Sequence, residues 1–224
     1  IAQRAIVVDE RRRTELLRRL LTEEGWTQVL VFVASQHTAD HVAWKLYSRG
    51  VMAAPFHGGL SQGARKQRLA ELRNEQWDVL VTTDLAARGI DIAKLAVVIN
   101  YDLPRSTVDY VHRIGRTGRA GESGLAVSLV PPAAEPHFRL IERRQGLRVA
   151  REVIDGFAPD PAAVQAAEAA VLAAGTGGIK GKRPSKKDKA RAAAAAGAPA
   201  GESMGDEAGA ARVADVRPRP PRAR

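Results

Sequence analysis

The sequence predicts an open α/β sheet of parallel strands with helices on both faces, and three observations predict it. Short apolar runs alternate with segments of helical periodicity through the first 157 residues. The run Val29-Leu-Val-Phe-Val33 is apolar without a break, as a strand covered on both faces must be. Glycines at 25 and 50 stand where two of the helical patterns stop. Alternation of this kind implies right-handed crossovers within one sheet.

Taken in order, residues 4–8 read as a short strand. Residues 12–24 carry Leu16, Leu17, Leu20 and Leu21 on one helical face, closed by Gly25. After the strand at 29–33 a helix is expected near 38–49, then a strand at 52–56 and a helix from Gln62 to about Asn74. Strands at 79–82 and 96–99, a helical turn at 107–113, a strand at 125–130 and a helix at 134–144 complete the series. In such sheets ligands gather beyond the carboxyl ends of the strands. The loops after Val33, Phe56, Val81 and Ile99 are therefore the ones to read for chemistry.

Composition changes after Phe157, the last aromatic residue. Alanine runs, Gly-Thr-Gly-Gly at 175–178 and Lys-Arg-Pro-Ser-Lys-Lys-Asp-Lys at 182–189 follow it. Residues 1–157 are expected to fold, 158–174 to form an Ala-rich helix opened by Asp160-Pro161, and 175–224 to be a disordered basic tail. That tail would either tether structured RNA or simply keep the chain soluble. The net charge of +10 is shared equally, since residues 1–157 hold 23 Lys/Arg against 18 Asp/Glu and the remainder 12 against 7. Twenty of those 23 cations are arginine. A polyanionic partner, nucleic acid first, is expected, a generally basic surface being the alternative. With no cysteine, a disulfide framework and a thiolate metal site are excluded. No apolar stretch approaches the roughly 18 residues of a membrane span, so a cytoplasmic protein without membrane partners is expected.

Three segments carry unusual chemistry. His112-Arg-Ile-Gly-Arg-Thr-Gly-Arg-Ala-Gly121 interleaves arginines with glycines at every third position. Glycine lets the backbone approach a partner, and guanidinium matches phosphate oxygens in a two-pronged geometry. Arg116 and Arg119 suit charge developing on a transferring phosphoryl group; His112 suits that site or a structural hydrogen bond. In His57-Gly-Gly-Leu-Ser-Gln-Gly-Ala-Arg65, Ser61 is a good N-cap, which puts Gln62 and Arg65 on one face of a first helical turn. That turn suits a backbone phosphate or is an ordinary cap with a solvated arginine. In Thr82-Thr-Asp-Leu-Ala-Ala-Arg-Gly-Ile-Asp-Ile92, Thr83 and Arg88 can bond phosphate or sugar oxygens. Asp91, between two isoleucines, suits a ribose hydroxyl or backbone N–H groups.

Together these residues are similar to the C-terminal RecA-like domain of DEAD-box ATP-dependent RNA helicases. The stretch 29–35 resembles motif IV of that family, Gln62-Gly-Ala-Arg65 its QxxR element, and 83–92 its motif V. Asn100-Tyr-Asp-Leu-Pro104 follows at the usual distance, and 112–119 reproduces motif VI. The resemblance implies that Arg116 and Arg119 contact the γ-phosphate of ATP and that Gly89 and Asp91 lie against the nucleotide. It implies that Ser35, Gly58, Gln62, Arg65, Thr83 and Arg88 grip single-stranded or duplex RNA by its backbone. His112 and Arg113 would couple this domain to a second one. No G-x-x-x-x-G-K-[ST] loop and no Asp-Glu-Ala-Asp occurs in the 224 residues. ATP and Mg²⁺ are therefore expected to be held mainly by the family's N-terminal RecA-like domain, and this stretch alone to show no measurable ATPase. A DNA-directed helicase of the same superfamily and a stand-alone, non-catalytic RNA-binding module are the other readings.

Overall fold

The computed structural model describes residues 1–88, 95–118 and 123–173. The strands are β1 (Ala2–Val7), β2 (Val29–Phe32), β3 (Ala53–Phe56), β4 (Val79–Thr82), β5 (Val97–Asn100), β6 (Leu125–Val130) and β7 (Arg151–Val153). They form one sheet in the order β3-β4-β2-β5-β6-β1-β7, and every pairing is parallel. The helices are α1 (Arg13–Glu23), α2 (Gln36–Tyr47), α3 (Gln62–Arg73), α4 (Asp84–Ala87), α5 (Thr107–Ile114), α6 (Glu135–Gln145) and α7 (Pro161–Ala173).

Alternate strand residues feed two cores, which is why the central strands carry no polar face. Val29 and Val31 of β2 pack with Leu16, Leu17, Val42 and Ala43 of α1 and α2. Leu30 and Phe32, pointing the other way, pack with Leu72 of α3 and the buried Trp77. Tyr110, Ile114, Phe138 and Ile141 of α5 and α6 cover β1 and β6 on that second face. Trp77 is fully buried, and its indole N–H donates to Glu71 Oε2 at 2.7 Å, meeting the need of a buried polar group for a partner. Gly25 and Gly50 take positive φ, 63° and 88°, where α1 and α2 end.

Three elements depart from the sequence expectation, one of them the single turn α4 in a segment read as a loop. Helix α2 begins at Gln36, two residues early, because the Ser35 hydroxyl accepts the Thr38 N–H at 3.0 Å and caps it. Strand β7 was not expected, since Arg151-Glu-Val has no apolar alternation. It pairs with β1 and is held by its charges: Arg151 binds Glu135 and Glu142, and Glu152 binds Arg4 on the opposite face. Phe157 belongs to the core, and Arg12 lies over its ring at 4.4 Å. Asp160 caps α7 through the Ala162 N–H at 2.8 Å, and α7 buries no side chain. The chain separates into two units after residue 169, and of the second only 170–173, the end of α7, are described.

Candidate functional site

Because all strands run the same way, the loops after β3, β4, β2 and β5 emerge side by side at one edge. These loops are tied together from beneath by two buried or half-buried arginines. Arg113, on α5, is 3 % exposed. It grips Asp84 with both prongs, Nε to Oδ1 at 2.6 Å and Nη2 to Oδ2 at 2.8 Å. Its Nη1 donates to Asn100 Oδ1 at 3.1 Å and to the Asp102 carbonyl at 2.6 Å, and the group stacks on Phe32 at 4.8 Å. One guanidinium thus fixes the loops after β4 and β5 against β2. Arg13, on α1, donates to Asp102 Oδ1 at 2.8 Å, while Oδ2 of the same carboxylate accepts the Ala34 N–H at 2.8 Å. That second tie joins the loop after β2 to the loop after β5.

Within this domain Arg113 gives four of its N–H groups to Asp84, Asn100 and the Asp102 carbonyl. His112, the neighbouring residue, is exposed on the last turn of α5 and makes no hydrogen bond to a described residue. Arg116, half-buried, follows on the loop that leaves α5 at Gly115. Thr117 is fully buried and pins that loop, its hydroxyl donating to the Leu95 carbonyl at 2.6 Å. Gly118 has φ of +63°, and a Cβ there would lie 2.7 Å from the Ile1 side chain, so a larger residue would strain the turn. Helix, bolt, pin and glycine turn therefore present His112 and Arg116 while hiding Arg113 and Thr117.

Arg88 forms the other wall. Its side chain is 62 % exposed and pairs with Asp109 Oδ1 at 2.8 Å. Asp109 also accepts the Ser106 hydroxyl at 2.7 Å, and Ser106 caps α5 by accepting the Asp109 N–H. These bonds, Ser106 first and Arg88 after it, hold the Asp109 carboxyl below its ordinary range. Phe32, Asp84, Ala87, Arg88, Asp109, His112, Arg113 and Arg116 line one shallow cleft. Gly89, Asp91 and Arg119 lie outside the described residues.

The loop after β3 lies next to this cleft. His57 is buried: its Nδ1 accepts the Gly59 N–H at 3.2 Å, so its Nε2 carries the proton and donates to Asp40 at 2.9 Å. Close approach falls on Gly59, where a Cβ would lie 2.9 Å from Gln36 Oε1; at Gly58 the nearest atom would be an ordinary 3.6 Å away. Ser61 caps α3 by accepting the Ala64 N–H at 3.1 Å. Gln62 is exposed beside it. Arg65 is not a solvated side chain: it lies over Phe56 at 5.3 Å and reaches the Ala86 carbonyl of α4 at 3.4 Å. That contact brings the QxxR segment against the segment bearing Thr83 and Arg88. Thr83, half-buried, precedes α4, and Ser35 is exposed at the start of α2.

Asp84, Asn100, Asp102 and Arg13 were not singled out from the sequence. Asn100 offered a signal, since a polar residue ending the all-apolar run Val97-Val-Ile must find a buried partner. Chemically, the edge combines fixed backbone with outward cations, a surface fitted to phosphate groups. Among the described residues no cluster of three or more His, Cys, Asp or Glu could hold a metal ion.

The fold and this edge define a helicase-type domain. The family of the helicase conserved C-terminal domain matches residues 12–121. The crystal structure of E. coli DEAD-box protein SrmB, bound to regulator of ribonuclease activity A, superposes with TM-score 0.68 at 36 % identity, covering 71 % of this chain and 95 % of that one. The C-terminal domain of the DEAD-box protein Dbp5 gives TM-score 0.65 at 31 % identity, over 76 % and 98 % of the two chains. The DEAD-box ATP-dependent RNA helicase RhpA of Helicobacter pylori is 37 % identical over 153 residues, 68 % of this chain and 30 % of RhpA. The chain belongs to the C-terminal helicase domains of DEAD-box RNA helicases. It spans about a third of the length of the full-length relatives it matches.

Proposed function

We propose that this chain is the C-terminal lobe of an ATP-dependent RNA helicase that opens short RNA duplexes locally. Its relatives are named as ATP-dependent RNA helicases, and S. cerevisiae Dbp5, 31 % identical with TM-score 0.64, has been solved bound to RNA and ADP BeF3. ATP would be held chiefly by an N-terminal RecA-like lobe, Mg²⁺ included. From this side Arg116, with Arg119, meets the γ-phosphate, and Gly89 and Asp91 meet the rest of the nucleotide. Residues Ser35, Gly58, Gln62, Arg65, Thr83 and Arg88 take the RNA backbone, and His112 faces the other lobe. The lobe works in the cytoplasm, and the basic segment 175–224, which follows the folded residues 1–157, lies outside the described residues.

One observation carries the reading: Arg88, His112 and Arg116 line a single cleft whose floor is locked by Arg113. Arginines on a rigid base pay little reorganisation when charge develops on a phosphoryl group. The nucleotide supplies the phosphoanhydride that is broken; this chain's part is to position cations and to bind strand. The purified 224-residue chain is expected to hydrolyse no ATP above background. In the enzyme carrying both lobes, Arg116→Ala should lower RNA-stimulated kcat by about 10³-fold or more. An unchanged kcat, or hydrolysis by the single lobe that Arg116→Ala abolishes, overturns the assignment.

A further inference from the structure

Beside the edge strand β7, along α6, lies a second groove that the helicase reading does not use. It encloses about 990 Å³ and is lined by α6, the loop 146–150 and the start of β7. Its charges are lopsided. Arg151 holds both acidic groups of the groove, Glu135 at 3.0 Å and Glu142 at 2.8 Å, so neither is free to oppose an incoming anion. Glu142 also accepts the Val149 N–H at 2.7 Å; the Arg151 bonds and this one keep its carboxyl below its ordinary range, hence ionised and satisfied. Arg143 and Arg148, exposed on the lining, form no ion pair with a described residue, and Arg139, 70 % exposed, shares Glu135 with Arg151.

The floor is apolar and the side is an open strand. Leu147, Val149 and Ala150 line it, and Val153, 60 % exposed, stands on the same face of β7 as Arg151 two residues before. Strand β7 ends the sheet order, and among the described residues no strand pairs with its far side. Exposed sheet edges of this kind accept an added strand, whose backbone bonds give affinity and whose alternate side chains give specificity. A single-stranded RNA would want aromatic platforms for its bases. None lines the groove, because Phe138 is buried under Arg151.

We infer that this groove binds an extended acidic peptide of a partner protein, laid along the free edge of β7 with carboxylates on Arg143 and Arg148 and an apolar residue over Val149 and Val153. The site shares no lining residue with the Arg116 cleft and does not depend on the helicase reading. Its test is amide-resolved NMR on the full chain, titrated with a short acetylated peptide of alternating glutamate and valine and, separately, with oligo-uridine RNA. The peptide should move the resonances of 143–153 and leave those of 57–65 and 106–118 in place. The double variant Arg143→Glu, Arg148→Glu should weaken that binding by about tenfold or more, because each lost pair is a charge-assisted hydrogen bond. Both side chains are exposed, so its melting temperature should stay that of the parent; Arg148→Ala alone gives a smaller loss as a second check. Peptide shifts that are absent, or lie elsewhere, overturn the inference. Oligo-uridine moving the same resonances overturns it in favour of a nucleic-acid groove.

Discussion

Arg113 and Arg116 lie three residues apart in one arginine–glycine segment, yet they belong to opposite regions of the molecule. Arg113 sits under the cleft with Asp84, Asn100 and Asp102 around it; Arg116 stands on the rim with Arg88 and His112. Charge is the same in both places, and burial decides what it does. A desolvated guanidinium must be matched bond for bond, so below the cleft it serves as architecture. On the rim, Arg88 is 62 % exposed and Arg116 half-buried, so water still reaches both side chains.

That contrast can be broken by mutation. Arg113→Ala leaves buried Asn100 and the Asp102 carbonyl without their donor and should cost about 2–3 kcal/mol of stability, read from urea unfolding. Arg113→Lys should recover only part of it, since an ammonium cannot bridge Asp84, Asn100 and the Asp102 carbonyl together. Arg116→Ala, at a half-buried rim position, should cost clearly less than Arg113→Ala in the same measurement. Equal losses for the two would show that rim and base are not distinct. A finer probe is the pair of glycines after β3. Gly59→Ala pushes on Gln36 and the His57 ring and should cost about 1 kcal/mol, whereas Gly58→Ala should be close to neutral by thermal melting. The smallest effect belongs to Asp109. Because folding lowers its pKa, its contribution is complete above its ordinary value of 3.8 and vanishes as pH falls from there through the folded value. Asp109→Asn should lower stability slightly at neutral pH, flatten the profile over that acid window and converge on the parent below it.

The strands and their order along the chain were legible because burial on both faces leaves no room for polar residues. The runs at 79–82 and 125–130 match β4 and β6 to the residue. Helix caps at Ser61 and Asp160 were legible for a local reason, one hydroxyl or carboxylate reaching its own first turn. Helix α4 was not, since Asp84-Leu-Ala-Ala is a single turn held by Arg113 and Arg65 from elsewhere in the chain. Strand β7 was hidden in the same way, its ion pairs reaching back to Glu135 and Arg4. At the site, arginine and glycine spacing pointed to a phosphate-binding surface, but it could not say which guanidinium faces in. The partners of Arg113 lie 29, 13 and 11 positions away, beyond any local pattern.

The placement of β1 between β6 and β7 has a consequence for biosynthesis. The first strand of this lobe finds both of its neighbours only after residue 153 has been made, roughly 10–30 s later at ordinary translation rates. Until β6 has been made, Ala5 and Ile6 have nothing to pair with. Nascent chains of this lobe should therefore be clients of whatever shields newborn polypeptides, and most so when elongation stalls before β6.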